Sequence, residues 1–169
     1  ALASIQLGRV DEARAHAAAA VEVATTDGDR ALTTVVTAPV AAAAGRPDDV
    51  GDIGEDDPGL ITMQNRFAIA IASAFAALQR GHHDDAITSI ETAQAIVDAS
   101  ENVLEREVVR LARGWLLTAL EHPDAGDVLA QARTRLAGFG TNATGWERVF
   151  RLSAGLGADE AATAPADAL

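Results

Sequence analysis

This chain of 169 residues has no cysteine and no tyrosine, and only 4% of it is aromatic. Without cysteine there is no disulfide, no thiol nucleophile and no cysteine-bound zinc. No run of about 18 apolar residues is present to span a bilayer, and nothing at the start reads as a signal peptide. Positive charge is also short. The 13 basic residues, all arginine, face 25 acidic ones, which leaves a net charge of −12 and a pI near 4.5. A field of that sign repels duplex nucleic acid unless a local arginine patch overcomes it, so direct DNA or RNA binding is not expected. The sequence also lacks a Walker-type glycine loop, a His-Glu-x-x-His and a Gly-x-Ser-x-Gly. It therefore offers no catalytic residue, no cofactor-binding residue and no metal ligand, and enzymatic activity is not expected.

What the chain has in quantity is alanine. With so few bulky groups, a core can close only where helices approach each other through small side chains. The length suffices for one continuous core. The Arg, Ala, Gly and Asp bias reads as the codon habit of a high-GC bacterial genome, with a cytoplasmic location to match.

A short phrase recurs: Gly8-Arg9-Val10-Asp11-Glu12-Ala13, Gly45-Arg46-Pro47-Asp48-Asp49-Val50 and Gly81-His82-His83-Asp84-Asp85-Ala86, with a worn copy at Glu121-His122-Pro123-Asp124-Ala125. The copies start 37, 36 and 40 residues apart. A period in this range is the mark of stacked helical hairpins. Glycine can end one helix in the left-handed conformation, and the acids that follow favour the positive N-terminus of the next.

Around these turns the apolar spacing predicts helices over 1–8, 11–26, from about 30, 62–80, from 83 to beyond Val97, from Ser100 or Glu101 to about 120, 124–137 and 145–154. Leu32, Val35, Val36 and Val40 pattern the third, with a kink or early stop expected at Pro39. Phe67, Ala70, Ile71, Ala74, Phe75 and Leu78 form one stripe, which Ala86, Ile90, Ala93 and Val97 answer on the next helix. Leu104, Val108, Leu111 and Trp115 are expected inward, as are Val128, Leu129, Ala132 and Leu136. The stretch 45–60 holds four glycines, two prolines and six acids. That makes the second hairpin degenerate, with an acidic loop over about 46–60. A last helix at about 145–154 caps the stack through Trp146, Val149 and Leu152. The domain is thus residues 1–154, followed by a disordered tail or linker over 155–169. The sequence begins Ala-Leu-Ala inside a helical pattern, so it reads as part of a longer protein, with Leu2, Ile5 or Leu7 left under-packed or covered by another copy.

With the turn glycine as anchor, Gly8–Ala13–Ala20 and Gly81–Ala86–Ala93 match the spacing of tetratricopeptide repeats. That family also places a small residue seven positions before the turn, and Ala38, Ala74 and Gly114 meet this, the last if Glu121 stands in for the glycine. The first helices lack the family's bulky aromatics, and the periods exceed its usual length. Over roughly 1–137 the chain resembles this family, which implies an all-α, right-handed α-solenoid of antiparallel helical hairpins. The phrases Leu7-Gly8-Arg9-Val10-Asp11-Glu12-Ala13-Arg14 and Ala24-Thr25-Thr26-Asp27-Gly28-Asp29-Arg30 resemble helical-repeat regions of large actinobacterial regulators, of the antibiotic-regulatory and LuxR/MalT-like ATPase types. The resemblance implies a protein- or peptide-interaction or sensor module of a bacterial signalling or transcription regulator, bound by a peptide, a protein or a neighbouring domain of the same polypeptide. A structural self-association module, a homodimer included, is the alternative.

Candidate partner-binding residues fall in two groups. Arg106, Arg110 and Arg113, at spacings of four and three, could clamp an acidic peptide or phosphate, or could be a solvated face partly neutralised by Glu105 and Glu107. Ile71, Phe75 and Leu78, with Trp115, could line an apolar groove for an amphipathic helix or extended peptide, or could simply pack against the neighbouring hairpin. His82-His83-Asp84-Asp85 points in divergent directions from a helix start, and the acidic loop 48–57 lacks the pattern of a calcium loop, so neither is expected to bind metal. The sequon Asn142-Ala143-Thr144 carries no weight in a bacterial cytosolic chain.

Overall fold

A computed structural model describes residues 1–50, 63–140 and 143–157. Within them the protein is all-α, with eight helices, one 3-10 turn and no strand. The helices are α1 (Leu2–Gln6), α2 (Val10–Val23), α3 (Asp27–Ala43), α4 (Met63–Gln79), α5 (His83–Asp98), α6 (Val103–Ala119), α7 (Ala125–Gly138) and α8 (Thr144–Ser153), and the 3-10 turn is Pro47–Val50. Residues 51–60 of the acidic loop, Asn142 of the sequon and residues 158–169 of the tail lie outside the described residues.

Each copy of the recurring phrase ends a helix by the same chemistry. Gly8, Gly45 and Gly81 have φ of +78°, +67° and +78°, a region glycine enters without a Cβ clash. At Gly81, its own N–H donates to the Leu78 carbonyl and that of His82 to the Ala77 carbonyl, both at 2.9 Å. Equivalent pairs of bonds close α1 through Gly8 and Arg9, and α3 through Gly45 and Arg46. The worn fourth copy does likewise: Glu121 takes φ +54°, and the amides of Glu121 and His122 close onto Thr118 and Leu117. There a side chain bears the strain that glycine avoids.

Beyond these turns, Asp11 and Glu12, Asp84 and Asp85, and Asp127 occupy the first turns of α2, α5 and α7. Their charge suits the exposed amides of a helix start. The pairs α1–α2, α4–α5 and α6–α7 pack along each other, and links this short make each an antiparallel hairpin. After Gly45 the acids Asp48 and Asp49 sit instead in the 3-10 turn. Thr26 caps α3: its hydroxyl accepts from the Asp29 amide, and the Asp29 carboxylate accepts from the Thr26 amide at 3.0 Å. That bond from the Thr26 backbone leads the causes that hold the Asp29 carboxyl below its usual range.

The core is built on alanine as the composition required. Ala13, Ala74, Ala76, Ala86, Ala93, Ala112 and Ala132 are wholly buried. The approach of α6 to α7 leaves no room for a side chain at Gly114. A Cβ placed on Gly114 would stand 2.6 Å from Leu129 Cδ2 and 3.3 Å from its backbone nitrogen.

Several local expectations are corrected. The third helix does not stop at Pro39 but continues to Ala43, because Ala38 and Val40 to Ala43 are all buried on either side. That burial outweighs the roughly 3 kcal/mol a mid-helix proline costs. The start of α6 is capped by Asn102, whose Oδ1 accepts from the Glu105 amide at 3.3 Å, rather than by Ser100 or Glu101. Leu104 is 40% exposed, whereas Glu105 and Glu107 take interior positions. At the other end, Ile5 is wholly buried and Leu7 is 60% exposed.

Two substitutions test this packing. Gly114→Ala should destabilise the protein by about 1–3 kcal/mol, since a methyl must force α6 from α7; urea denaturation measures it, and an unchanged midpoint would contradict the close approach. Glu121→Gly should do the opposite and stabilise by about 1 kcal/mol by relieving the left-handed strain, read as a rise in Tm.

Candidate functional site

The last helix repeats an apolar pattern of its own: Trp146, Val149, Phe150 and Ser153 lie at spacings of three, one and three, which places them on one side. An end cap would bury only that side. In α8, every residue from Gly145 to Ser153 is buried or half-buried, the polar ones included. The helix packs against α1, α3, α4 and α6, so it lies lengthwise in a trough instead of across one end of the stack. Those four are the helices that precede the recurring turns.

The floor of the trough is aromatic. Phe75 of α4 stacks on Phe150 of α8 with centroids 5.9 Å apart and planes 17° from parallel, and Trp146 stacks on the other side at 5.9 Å and 21°. Phe67 borders the same contact. Trp115 of α6 lies beneath Arg151 of α8, with the guanidinium 5.2 Å from the ring centroid, and Arg133 of α7 approaches it at 5.6 Å. Three of the four aromatic residues outside α8 thus gather around its own Trp146 and Phe150, and the fourth, Phe139, is 52% exposed.

Polar contacts fix the helix at both ends and along its side. The Arg148 guanidinium donates to the Gln6 carbonyl at 2.6 Å, its side chain passing over Gly8, where a Cβ would come within 3.2 Å of Arg148 Cδ. Gln79 donates its amide to the Ser153 carbonyl at 2.7 Å and to the Ala42 carbonyl at 2.6 Å, tying α8 to α3 and α4 at once. Glu147 accepts from Arg133 at 2.6 Å.

The fit is incomplete. A cavity of about 70 Å³ remains under the helix, bounded by Pro39, Phe67, Ile71, Phe75, Trp146 and Phe150. Outside that cavity, Gln79 Oε1 and Trp115 Nε1, and Arg151 Nε of α8 itself, are buried without hydrogen-bond partners. Such groups cost free energy in their desolvated state.

The candidate residues read from sequence separate accordingly. Ile71 and Phe75 are buried, Trp115 is 8% exposed, and Leu78 is half-buried against the core. Of these, Ile71, Phe75 and Trp115 belong to the trough, beneath or beside α8. The arginines share one side of α6 but are engaged differently. Arg106 pairs with Asp98 at 3.1 Å, and Arg110 pairs with Glu107 of its own helix. Arg113 is exposed. Glu107 is no part of a solvated face: it is wholly buried and also accepts from Arg135 of α7 at 3.2 Å. A carboxylate between two arginines at a helix contact joins α6 to α7. Nothing in the sequence flagged Glu107, because its burial depends on where α7 comes to lie.

A second concavity lies on the opposite side of α3. It measures about 510 Å³ and runs between α2 and α3, lined by Ala15, Ala17, Ala18, Val21, Val40 and Ala41 with Arg14 and Arg46 at its edge. Both arginines are paired, with Asp11 and Asp49. Val21, Val23 and Leu32 are exposed on these two helices. Among the described residues no group of three or more His, Asp or Glu is arranged to hold a metal, and no helix is long and apolar enough to cross a membrane.

No protein-family profile, curated protein or solved structure matches the chain.

Phe150→Ala should cost about 3–5 kcal/mol, as for a large aromatic removed from a packed contact. Urea denaturation followed by tryptophan fluorescence reads both the loss and a red shift as Trp146 loses its stacking partner. A cost under about 1 kcal/mol would mean that α8 is not seated as described.

Proposed function

We propose that this chain is a protein- or peptide-interaction module without catalytic activity, built as a right-handed α-solenoid of the tetratricopeptide-repeat kind. In this reading the helices before each turn line a concave face, and that face recognises an amphipathic helix. The observation that carries the reading is the seat of α8. Four helices and three aromatic rings, Phe67, Phe75 and Trp115, converge on one amphipathic helix that carries two rings of its own, and engage it with stacking, cation–π contacts and bonds to its backbone. Helix-in-groove recognition uses the same elements. The four like turns, each closing by the same bonds, favour the repeat architecture.

The setting rests on the resemblance of the Leu7–Arg14 and Ala24–Arg30 phrases to repeat regions of actinobacterial regulators. It places the module in the cytoplasm, within a larger signalling or transcription regulator, with a peptide, a protein or a neighbouring domain as its partner. Binding then shifts the regulator between docked and released states by as much as the partner prefers one of them. A self-association role is the second reading, and the alanine-lined groove between α2 and α3 favours it. Small side chains there would let another helix approach closely.

The test is a display selection of random peptides against the full chain, with binding mapped by amide chemical shifts. Amphipathic helical binders that perturb Phe75, Trp115 and α8 support the module. Failure to select any binder, or perturbations confined to α2 and α3, contradicts recognition at this face.

A further inference from the structure

Resting on the concave-face reading, we propose that α8 is an internal ligand: it occupies the recognition face in the free protein and is displaced by a partner's amphipathic helix bearing a similar aromatic and arginine pattern. Three observations lead there. First, α8 is held as a guest is held. Its backbone receives Gln79, its Arg148 reaches the end of α1, and its aromatic side enters a trough built by four other helices. Second, the seat is imperfect. The void of about 70 Å³ is apolar, and outside it Gln79 Oε1 and Trp115 Nε1 of the seat lack partners. An occupant with more bulk opposite Phe67 and Ile71, and with an acceptor for the Trp115 indole, would satisfy what α8 leaves open. Third, α8 is joined to α7 by the short link 139–143, while its body lies on helices far earlier in the chain. It can leave without breaking the α4–α5 or α6–α7 hairpins.

The tether makes α8 a strong competitor despite the imperfect fit. A link of a few residues gives an effective concentration on the order of millimolar. The apparent affinity for an outside helix falls by the fraction of time the face is open. The partner must therefore bind better than α8 does, and the void and the unpaired groups show where it can.

The absence of cysteine makes the test clean. A Cβ on Gly145 would lie 3.2 Å from the Cβ of Gln6, close to the separation of about 3.5–4.5 Å that a disulfide spans. In the full chain, Gln6→Cys with Gly145→Cys locks α8 onto α1 when oxidised and frees it when reduced. The probe is a fluorescein-labelled synthetic peptide with the sequence of residues 143–157, followed by anisotropy. Displacement predicts binding to the reduced protein at least about ten-fold tighter than to the oxidised one. Equal binding in both states, or none in either, overturns the proposal. Should the double variant fold poorly, Arg148→Ala loosens the same contact without new bonds. It should raise the affinity of the unchanged peptide, and an unaltered affinity overturns displacement. A dimer that forms from the reduced but not the oxidised protein assigns the seat to a second copy's α8 and overturns the partner helix. Peptides selected against the wild-type chain that bind the locked form equally well would leave the module standing and remove only the role of α8.

Discussion

Phe75 and Phe150 face each other between α4 and α8, and the rest of the structure is arranged so that they can meet. The chain has six aromatic residues in all. A protein so poor in bulk cannot fill wide gaps, so its hairpins close on alanine and, at Gly114, on no side chain at all. Close approach through small residues holds hairpins together, and the helices before each turn together form the trough that holds α8. The rings are spent there. Three of them line the trough and two more are carried by α8, which ties α1, α3, α4 and α6 into a single core. Without it, Phe75, Ile71 and Trp115 would form an exposed apolar surface of the kind that marks a binding site.

On the proposed reading, stability and recognition meet at one contact. Arg148 reaches α1 across most of the chain, and Gln79 holds α3, α4 and α8 through one side chain. A partner that replaced α8 would have to supply the same closure from outside. Ordering would then accompany recognition, and the free energy available for signalling would be the difference between two occupants of one seat.

Much of the local structure was legible in the sequence, because its causes are local. A glycine seven residues after a small one, with acids following, specifies a reversal wherever it falls, and even Glu121 obeys the pattern at the cost of strain. The apolar stripe of α4 was equally plain, and Ile71 and Phe75 are buried, with Leu78 half-buried against the core. What could not be read was the destination of α8. Its amphipathic pattern suits an end cap as well as a trough, and only the three-dimensional divergence of four helices decides between them. Glu107 escaped for a similar reason: a glutamate beside two arginines reads as solvent-facing until Arg135 arrives from α7 to cover it. The early stop weighed at Pro39 does not occur, because the local cost of a proline is offset by the buried residues on either side.

The most direct measurement of the central claim, that α8 is a guest in a seat built by the others, is native-state amide hydrogen exchange on the full chain. The account predicts that the amides of Val149 to Ser153 exchange through an opening of lower free energy than those of Ala72 to Ala76 in α4, with α4 to α7 still protected while α8 is open. If the amides of α8 and α4 instead exchange with the same free energy, α8 leaves only when the whole fold does, and it is a structural helix and not a ligand.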